Sequence, residues 1–134
     1  MKALLDKSYD RLARPDFILD DPIQIPRLFP ARADAELIGF LTATIAWGQR
    51  KTIIRNARML AQRMDDAPHD FVINATEAEL EGLSGFVHRT FNSVDLVHFI
   101  RASRHLIAAY GDLEQAFLAN GELGSMATAI TRFK

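Results

Sequence analysis

The sequence predicts an all-α protein, a compact multi-helix domain around a central buried helix at about residues 37 to 47. Two observations predict this class. Apolar residues recur at helical spacing in several segments, and no run alternates convincingly as a strand. The sequence has 134 residues, 49% of them hydrophobic and 25% charged, which is enough for one core. We therefore expect a single helical domain over residues 1 to 134.

The first elements are a short helix and a proline-rich arm. Helical spacing of apolar residues predicts a helix over residues 3 to 13. Four prolines then predict an irregular arm over residues 15 to 33, with apolar side chains that hold it to the core. Asp34 is predicted to cap the central helix, whose residues 37 to 47 are apolar on almost every face.

The next helix has the clearest pattern in the sequence. It is predicted from about Arg50 to Met64, with apolar residues at i, i+1, i+4, i+7, i+8 and i+11. Residues 69 to 74 are compatible with one turn of helix or with an extended link. Thr76-Glu77-Ala78-Glu79 predicts a capping box at the start of a short helix. Residues 85 to 92 are predicted to form a loop.

The last third of the sequence is predicted to be helical. Asn92 or Ser93 caps a long helix, and Gly111 is a natural residue to end it. Asp112 begins a further helix, and a final one starts near residue 124 and runs to the end of the sequence. Because this final helix has no stop signal, we expect the chain to be the N-terminal part of a longer protein.

The composition excludes several kinds of chemistry. Without cysteine the chain has no disulfides, no Cys-ligated zinc, no iron-sulfur cluster and no thiol nucleophile. The Walker, GxGxxG and HExxH patterns are also missing from the sequence, and we expect no metal, no cofactor and no catalytic residue in it. A net charge of -1 means that any basic site must be local. The sequence shows no secretory signal and no membrane span, so we expect a cytoplasmic location.

The junction between the two long helices is the first candidate site. Trp47-Gly48-Gln49 interrupts the helical pattern, and five cations without an acid follow between residues 50 and 63. A helix N-terminus offers unpaired amides, so Gln49, Arg50, Lys51 and Arg55 are candidates for phosphate or nucleic-acid contact. The alternative for the same cations is the solvated face of an amphipathic helix, balanced by the aspartates that follow.

A second polar cluster follows further along the chain. His88, Arg89 and Thr90 place three possible phosphate donors between Phe86 and Phe91, ahead of a helix with further cations. The alternative is a loop that the two aromatic residues hold in place, with its polar groups hydrated or capping. Both interpretations stay open from the residues alone.

Three segments together resemble a bacterial family defined only as a domain of unknown function: ADAELIGFLTATIAWGQRKTIIRNARML, FVINATEAELEGLSGFVHRTFN and DLVHFIRASRHLIAAYGDLEQAF. Residues 20 to 134 would fit its front half. That family is more distantly similar to helix-hairpin-helix DNA glycosylases of the endonuclease III type. The resemblance implies the N-terminal helical part of such a fold. It also implies that Gln49, on a turn that enters DNA, fills the gap left by an extruded base.

Two functions of different classes follow from these patterns. The first is a DNA-binding, DNA-repair-related helical domain, the N-terminal portion of a glycosylase-like protein whose hairpin motif and aspartate would lie beyond Lys134. Its partner would be double-stranded DNA, although an RNA-handling protein would use the same cations. The second is a helical protein-protein interaction or structural module without a nucleic-acid role. Its partner would be the missing C-terminal part of the chain or a second copy in a homo-oligomer.

Overall fold

A computed structural model describes residues 1–119, and in them the fold is all-α, as predicted. The chain divides into two compact units, Met1–Gln62 and Arg63–Lys134. The final helix predicted near residue 124 lies outside the described residues. The α-helices of the described part are α1 (Lys2–Leu12), α2 (Arg32–Thr44), α3 (Arg50–Arg63), α4 (Pro68–Asn74), α5 (Glu77–Glu81), α6 (Ser93–Tyr110) and α7 (Leu113–Leu118).

Helix α2 is the predicted central helix, but it is buried along one face rather than on every side. Leu37 and Leu41 of the helix, and Ile45 directly after its last residue, are spaced four residues apart and are each 1% exposed. Ala43, on another face of the helix, is exposed. The difference arises because small apolar residues are tolerated in contact with water, so an apolar sequence overstates how much of a helix is covered.

Both ends of α2 differ from the prediction. Ala31 occupies the N-cap without a side-chain hydrogen bond, and Asp34 lies in the first turn, where its charge suits the helix dipole. The helix ends three residues before the predicted residue 47, at Thr44. Gly48 has a φ of 112°, a conformation that favours glycine, and the chain turns there before α3 begins.

The proline-rich arm, residues 15–33, contains more regular structure than predicted. It holds three short 3-10 helices, Pro15–Asp20, Pro22–Gln24 and Pro26–Leu28, each with proline at its first position. Proline suits this position because the N–H that it lacks would have no partner there. The second and third of these helices contact α2, and Ile25 is completely buried. Elements this short leave no periodicity from which to predict them.

Helix α3 and its exit follow the prediction closely. The helix ends at Arg63, one residue before the predicted Met64, which is itself fully buried. Asp65 and Asp66 then adopt left-handed φ values of 55° and 53°, which stop the helix. The following link, for which the sequence left two possibilities, is helical and forms α4.

Helix α6 organises the second unit. Asn92 caps it by accepting hydrogen bonds from the N–H groups of Val94 at 2.8 Å and Asp95 at 3.4 Å, which confirms the first of the two predicted caps. Gly111 ends it with a φ of 95°, also as predicted. Helices α4 and α7 contact α6. The residues that α6 buries are Leu96, Ile100, Ser103 and Ile107.

The segment predicted to be a loop contains a small β-hairpin. Strands β1 (Val87–His88) and β2 (Phe91–Asn92) pair antiparallel, with His88 opposite Phe91. Arg89, at the turn, has a left-handed φ of 58°. Strands of two residues are too short to show alternation in the sequence, so the prediction of a loop was wrong here.

Helix α5 begins with the predicted capping box. The Thr76 hydroxyl accepts a hydrogen bond from the Glu79 N–H at 3.3 Å, and the Glu79 carboxylate accepts from the Thr76 N–H and hydroxyl, each at 2.7 Å. Hydrogen bonds to the charged form of a carboxyl favour that form. The hydrogen bond from the Thr76 backbone, and then that from its hydroxyl, therefore lower the pKa of Glu79.

We expect Glu79→Gln to reduce the thermal stability of the protein at pH 7, and to reduce it progressively less as the pH is lowered from 7 towards 3. Because the pKa of Glu79 is lowered on folding, its contribution is present above the pKa of the unfolded chain, about 4.3. It is lost as the pH falls through the folded value. Melting temperatures of both proteins across this range provide the measurement. A difference in melting temperature between the two proteins that stays constant with pH would contradict the role assigned to the carboxylate.

Candidate nucleic-acid interface

The turn that precedes α3 is exposed. Gln49, Arg50 and Lys51 all lie at the surface of the first unit. The Gln49 carbonyl accepts hydrogen bonds from the N–H groups of Thr52 at 2.9 Å and Ile53 at 3.0 Å, which begins the helix. The first turn of α3 contains no acidic residue. The positive end of the helix dipole is therefore not neutralised from within the helix, and this end is suited to an anion.

Four exposed cations continue from this turn along the helix: Arg50, Lys51, Arg55 and Arg58, named here the α3 basic stripe. Lys51, Arg55 and Arg58 are spaced i, i+4 and i+7, which places them on one face over about 10 Å. Within residues 1–119, none of the four forms an ion pair. The stripe is therefore a local positive surface on a chain of net charge -1.

Two members of the stripe have defined local contacts. The Arg50 guanidinium lies 5.4 Å from the centre of the Phe17 ring, a cation-π contact with the first 3-10 helix of the arm. The Arg55 Nε donates to Asn56 Oδ1 at 3.4 Å. Asn56 itself is 4% exposed, so it belongs to the interior face of α3. These contacts orient Arg50 and Arg55 while both side chains stay exposed.

The predicted cluster on the hairpin is only partly at the surface. Arg89 and Thr90 are exposed at the turn. The His88 side chain is 2% exposed, because neighbouring strand residues face opposite sides and Val87 is the one that points outward. His88 is therefore not presented to a ligand, contrary to what the sequence suggested. The exposed pair lies in the second unit, whereas the α3 basic stripe lies in the first.

Other arginines of the predicted basic regions are used inside the second unit. Arg63 donates to the carbonyl oxygens of Leu83 at 3.3 Å and Ser84 at 3.2 Å. Arg101 pairs with a glutamate of α5, and Arg104 donates to two carbonyls. The sequence pattern could not distinguish these arginines, which bind groups of the protein itself, from the arginines that are exposed to solvent, because both groups occur at helical spacing.

A cavity of about 710 Å³ lies in the first unit beside the same turn. The arm forms one wall, and the face of α2 that carries small residues forms another. The sequence pattern did not predict this cavity, because alanine and glycine on a helix are also compatible with a covered apolar face. Residues of its lining include Pro22, Pro26, Gly39, Ala43, Gly48 and Arg50.

No helix within residues 1–119 combines the length and the apolar character needed to cross a bilayer. In the same part of the chain, no group of three or more His, Cys, Asp or Glu side chains is placed to hold a metal ion.

Comparison with known proteins identifies a family. The family described as "Protein of unknown function (DUF2400)" matches residues 21–134, which include α2, α3 and the hairpin. No curated protein and no solved structure matches the chain significantly. The likeness to DNA glycosylases therefore stays a prediction. Because the match covers most of the sequence, the chain belongs to the DUF2400 family of proteins of unknown function.

Proposed function

We propose that the protein binds nucleic acid, with double-stranded DNA as the ligand, through Gln49 and the α3 basic stripe. The observation that supports this function is the stripe itself: four exposed cations on one helix, with no ion pair to any of residues 1–119. Phosphate contacts by Lys and Arg provide most of the affinity of such proteins. Because the net charge is -1, the attraction would act at this surface rather than over the whole molecule.

The residues of this surface would have different roles. Arg50 and Lys51, at the N-terminus of α3, would bind phosphate together with the amides of the first turn. Arg55 would contact the backbone further along the same face. Gln49 carries both a donor and an acceptor on the exposed turn, so it can read a base edge. A role of Gln49 inside the duplex, and a role of the protein in DNA repair, are finer parts of the same proposal, motivated by the glycosylase resemblance.

The salt dependence of binding tests this function. We expect the affinity for a fluorescent duplex, measured by anisotropy, to fall by about 100-fold between 50 and 200 mM salt if four phosphates are contacted. Each released counterion contributes to the slope, so the slope also estimates the number of contacts. An affinity that is independent of salt would rule out the proposed interface.

Charge reversal locates the interface on the molecule. The triple variant Lys51→Glu, Arg55→Glu, Arg58→Glu should weaken duplex binding by at least about 100-fold, because it converts three phosphate contacts into repulsion. The three residues are exposed on α3, so the fold should not change. Circular dichroism of the variant checks this.

Helix α1 provides a matched control. Lys2, Lys7 and Arg11 are also exposed cations on a helix of the first unit. Their reversal to Glu changes the net charge by the same amount as the α3 triple variant. We expect duplex affinity to change by less than about 5-fold in this control, since only long-range attraction is altered. Equal losses in the two triple variants would show that net charge, and not the stripe, governs binding.

A helical interaction module is the second candidate function. It is favoured by α1, which has no buried residue and exposes Leu4, Leu5, Tyr9 and Leu12. An apolar helix face of this kind is typical of a contact surface for another protein. If the protein is an interaction module of this kind, the titration with fluorescent duplex should show no saturable binding at any salt concentration. The anisotropy experiment therefore separates the two candidate functions.

A further inference from the structure

Trp47 is a large aromatic residue that stays partly open to solvent in the turn before α3. Its exposed fraction is 38%, although tryptophan is on average well buried in proteins. Ala46 and Gly48, on either side of it in the sequence, are small and exposed, so they do not cover its ring. A single exposed apolar residue is common on protein surfaces, so its surroundings decide whether it has a function.

The backbone of Trp47 has a fixed position. Its N–H donates to the Ile45 carbonyl at 2.8 Å, and the Ala46 N–H donates to the Ala43 carbonyl at 3.1 Å. Ile45 before the turn is 1% exposed and Ile53 after it is 3% exposed, so the core holds both ends of the turn. The ring is therefore presented on a preorganised backbone, and an aromatic side chain has few torsions to immobilise when it binds a ligand.

Positive charge lies close to this ring. Trp47 comes two residues before Gln49, whose carbonyl begins α3. The Cα atoms of Trp47 and Arg50 are separated by three chain steps of about 3.8 Å, hence by at most about 11 Å. A nucleic-acid strand advances about 3.4 Å per nucleotide, so a few consecutive nucleotides can reach both residues. By contrast Tyr110, which is 41% exposed, has no cation within four residues on either side in the sequence.

We propose that Trp47 stacks on an unpaired base of DNA held at the α3 basic stripe, so that the preferred ligand is a duplex with an unpaired nucleotide. The inference rests on the proposed function, because the stripe binds the phosphates. In a perfect duplex the faces of each base are covered by its neighbours, and extruding a paired base costs free energy. An unpaired base can offer its face to the indole ring, and such stacking is tolerant of base identity.

A protein contact is the other use of an exposed tryptophan. Contacts of that kind centre on an apolar patch from which charged residues are depleted. Trp47 is instead followed by Gly48 and by three exposed polar or charged residues, Gln49, Arg50 and Lys51. An apolar partner surface would leave the two cations without a counter-charge, whereas a phosphate backbone supplies it. The surroundings of Trp47 therefore favour a nucleic-acid ligand.

Three fluorescent duplexes of one sequence test the inference. The first is perfect, the second carries one bulged adenosine, and the third carries a bulged abasic nucleotide at the same position. The two bulged duplexes share their charge and their interrupted stacking, and they differ only in the base. By anisotropy on the full chain, we expect the adenosine bulge to bind at least about 5-fold more tightly than the abasic bulge. Equal affinities for the two bulged duplexes would overturn the proposal.

The fluorescence of the protein locates the stacked base. Trp47 is the only tryptophan of the sequence, so the indole emission comes from this turn alone. The adenosine bulge should quench this emission more strongly than the abasic bulge does, because only the first brings a base onto the ring. This measurement needs no substitution. Tighter binding of the adenosine bulge without additional quenching would place the base elsewhere on the protein and refute the role of Trp47.

Substitutions test the need for an aromatic face. Trp47→Leu removes the flat ring but keeps an apolar side chain, and should bring the ratio of the two bulged affinities close to one. Trp47→Phe keeps an aromatic face and should retain a preference for the adenosine bulge. Tyr110→Leu, at an aromatic position of similar exposure, is the matched control and should leave the ratio unchanged. Circular dichroism checks each fold, and an unchanged ratio in folded Trp47→Leu would contradict the proposal.

The same titrations separate this inference from the proposed function. If the unaltered protein binds all three duplexes alike and releases them as salt is added, the inference fails and the proposed function stands. If it binds none of them, both fail. The triple charge reversal of Lys51, Arg55 and Arg58 should weaken binding of all three duplexes, because the phosphates are common to them.

Discussion

Replacing Phe86 by alanine should lower the free energy of unfolding by about 3–5 kcal/mol, through lost apolar burial and the cavity left behind. Phe86 is completely buried. Its ring meets the Phe91 ring edge-on with centroids 6.3 Å apart, and Phe91 meets Phe99 at 5.5 Å. The substitution therefore removes one end of an aromatic row that joins the hairpin to α6. Urea denaturation followed by circular dichroism measures the loss.

Two variants control for this effect. Phe86→Leu keeps most of the apolar volume and should cost no more than about 1.5 kcal/mol. Val87→Ala changes the neighbouring residue, which is 58% exposed, and should change the stability by less than about 0.5 kcal/mol. If Phe86→Ala were no more destabilising than Val87→Ala, the aromatic row would not be part of the core of the second unit.

Arg104→Ala should lower the free energy of unfolding by about 3 kcal/mol, because it removes two hydrogen bonds from a charged donor. Its guanidinium donates to the carbonyl oxygens of Val72 at 2.6 Å and Ala75 at 2.8 Å. These carbonyls end α4, where a positive charge also suits the helix dipole. The Thr76 N–H, the next helical partner of Val72, donates to Glu79 instead. Without Arg104, the carbonyl oxygens of Val72 and Ala75 both lose the guanidinium as a hydrogen-bond donor in a half-buried position.

Arg104→Lys and Arg101→Ala test the interpretation. Lysine restores the charge but not the planar arrangement of donors, so it should recover only part of the lost stability. Arg101 pairs with Glu77 at the surface, where both side chains are more than half exposed. Removing it should therefore change the stability by less than about 0.5 kcal/mol. Similar losses for Arg101→Ala and Arg104→Ala would mean that the carbonyl contacts add little.

The helices that were predicted best from the sequence are those whose apolar spacing and capping residues match the face that the structure buries. Helix α3 has an apolar stripe along its whole length, and α6 is capped by Asn92 at its start and by Gly111 at its end, both of which act locally. The 3-10 helices of the arm and the two-residue strands were not predictable, because they are shorter than any period. The end of α2 was misplaced since apolar residues continue past Thr44 into the turn.

Exposure of candidate site residues was harder to predict than their existence. Arg50 and Lys51 lie at the surface, as a helix N-terminus suggests. Arg63 and Arg104 have the same chemistry but bind carbonyl groups that come from other parts of the chain. His88 is covered because of the hairpin register. Such roles depend on residues far away in sequence, and spacing alone contains no information about them.

The prolines at the start of the arm's 3-10 helices act on the unfolded chain as well as on the folded one. A proline restricts its own backbone before folding, so the arm loses less conformational entropy when it becomes ordered. Pro22 and Pro26 belong to the cavity lining. This wall is therefore preorganised. A molecule that enters the cavity would bind more tightly for the same contacts, because little conformational entropy of the arm is lost on binding.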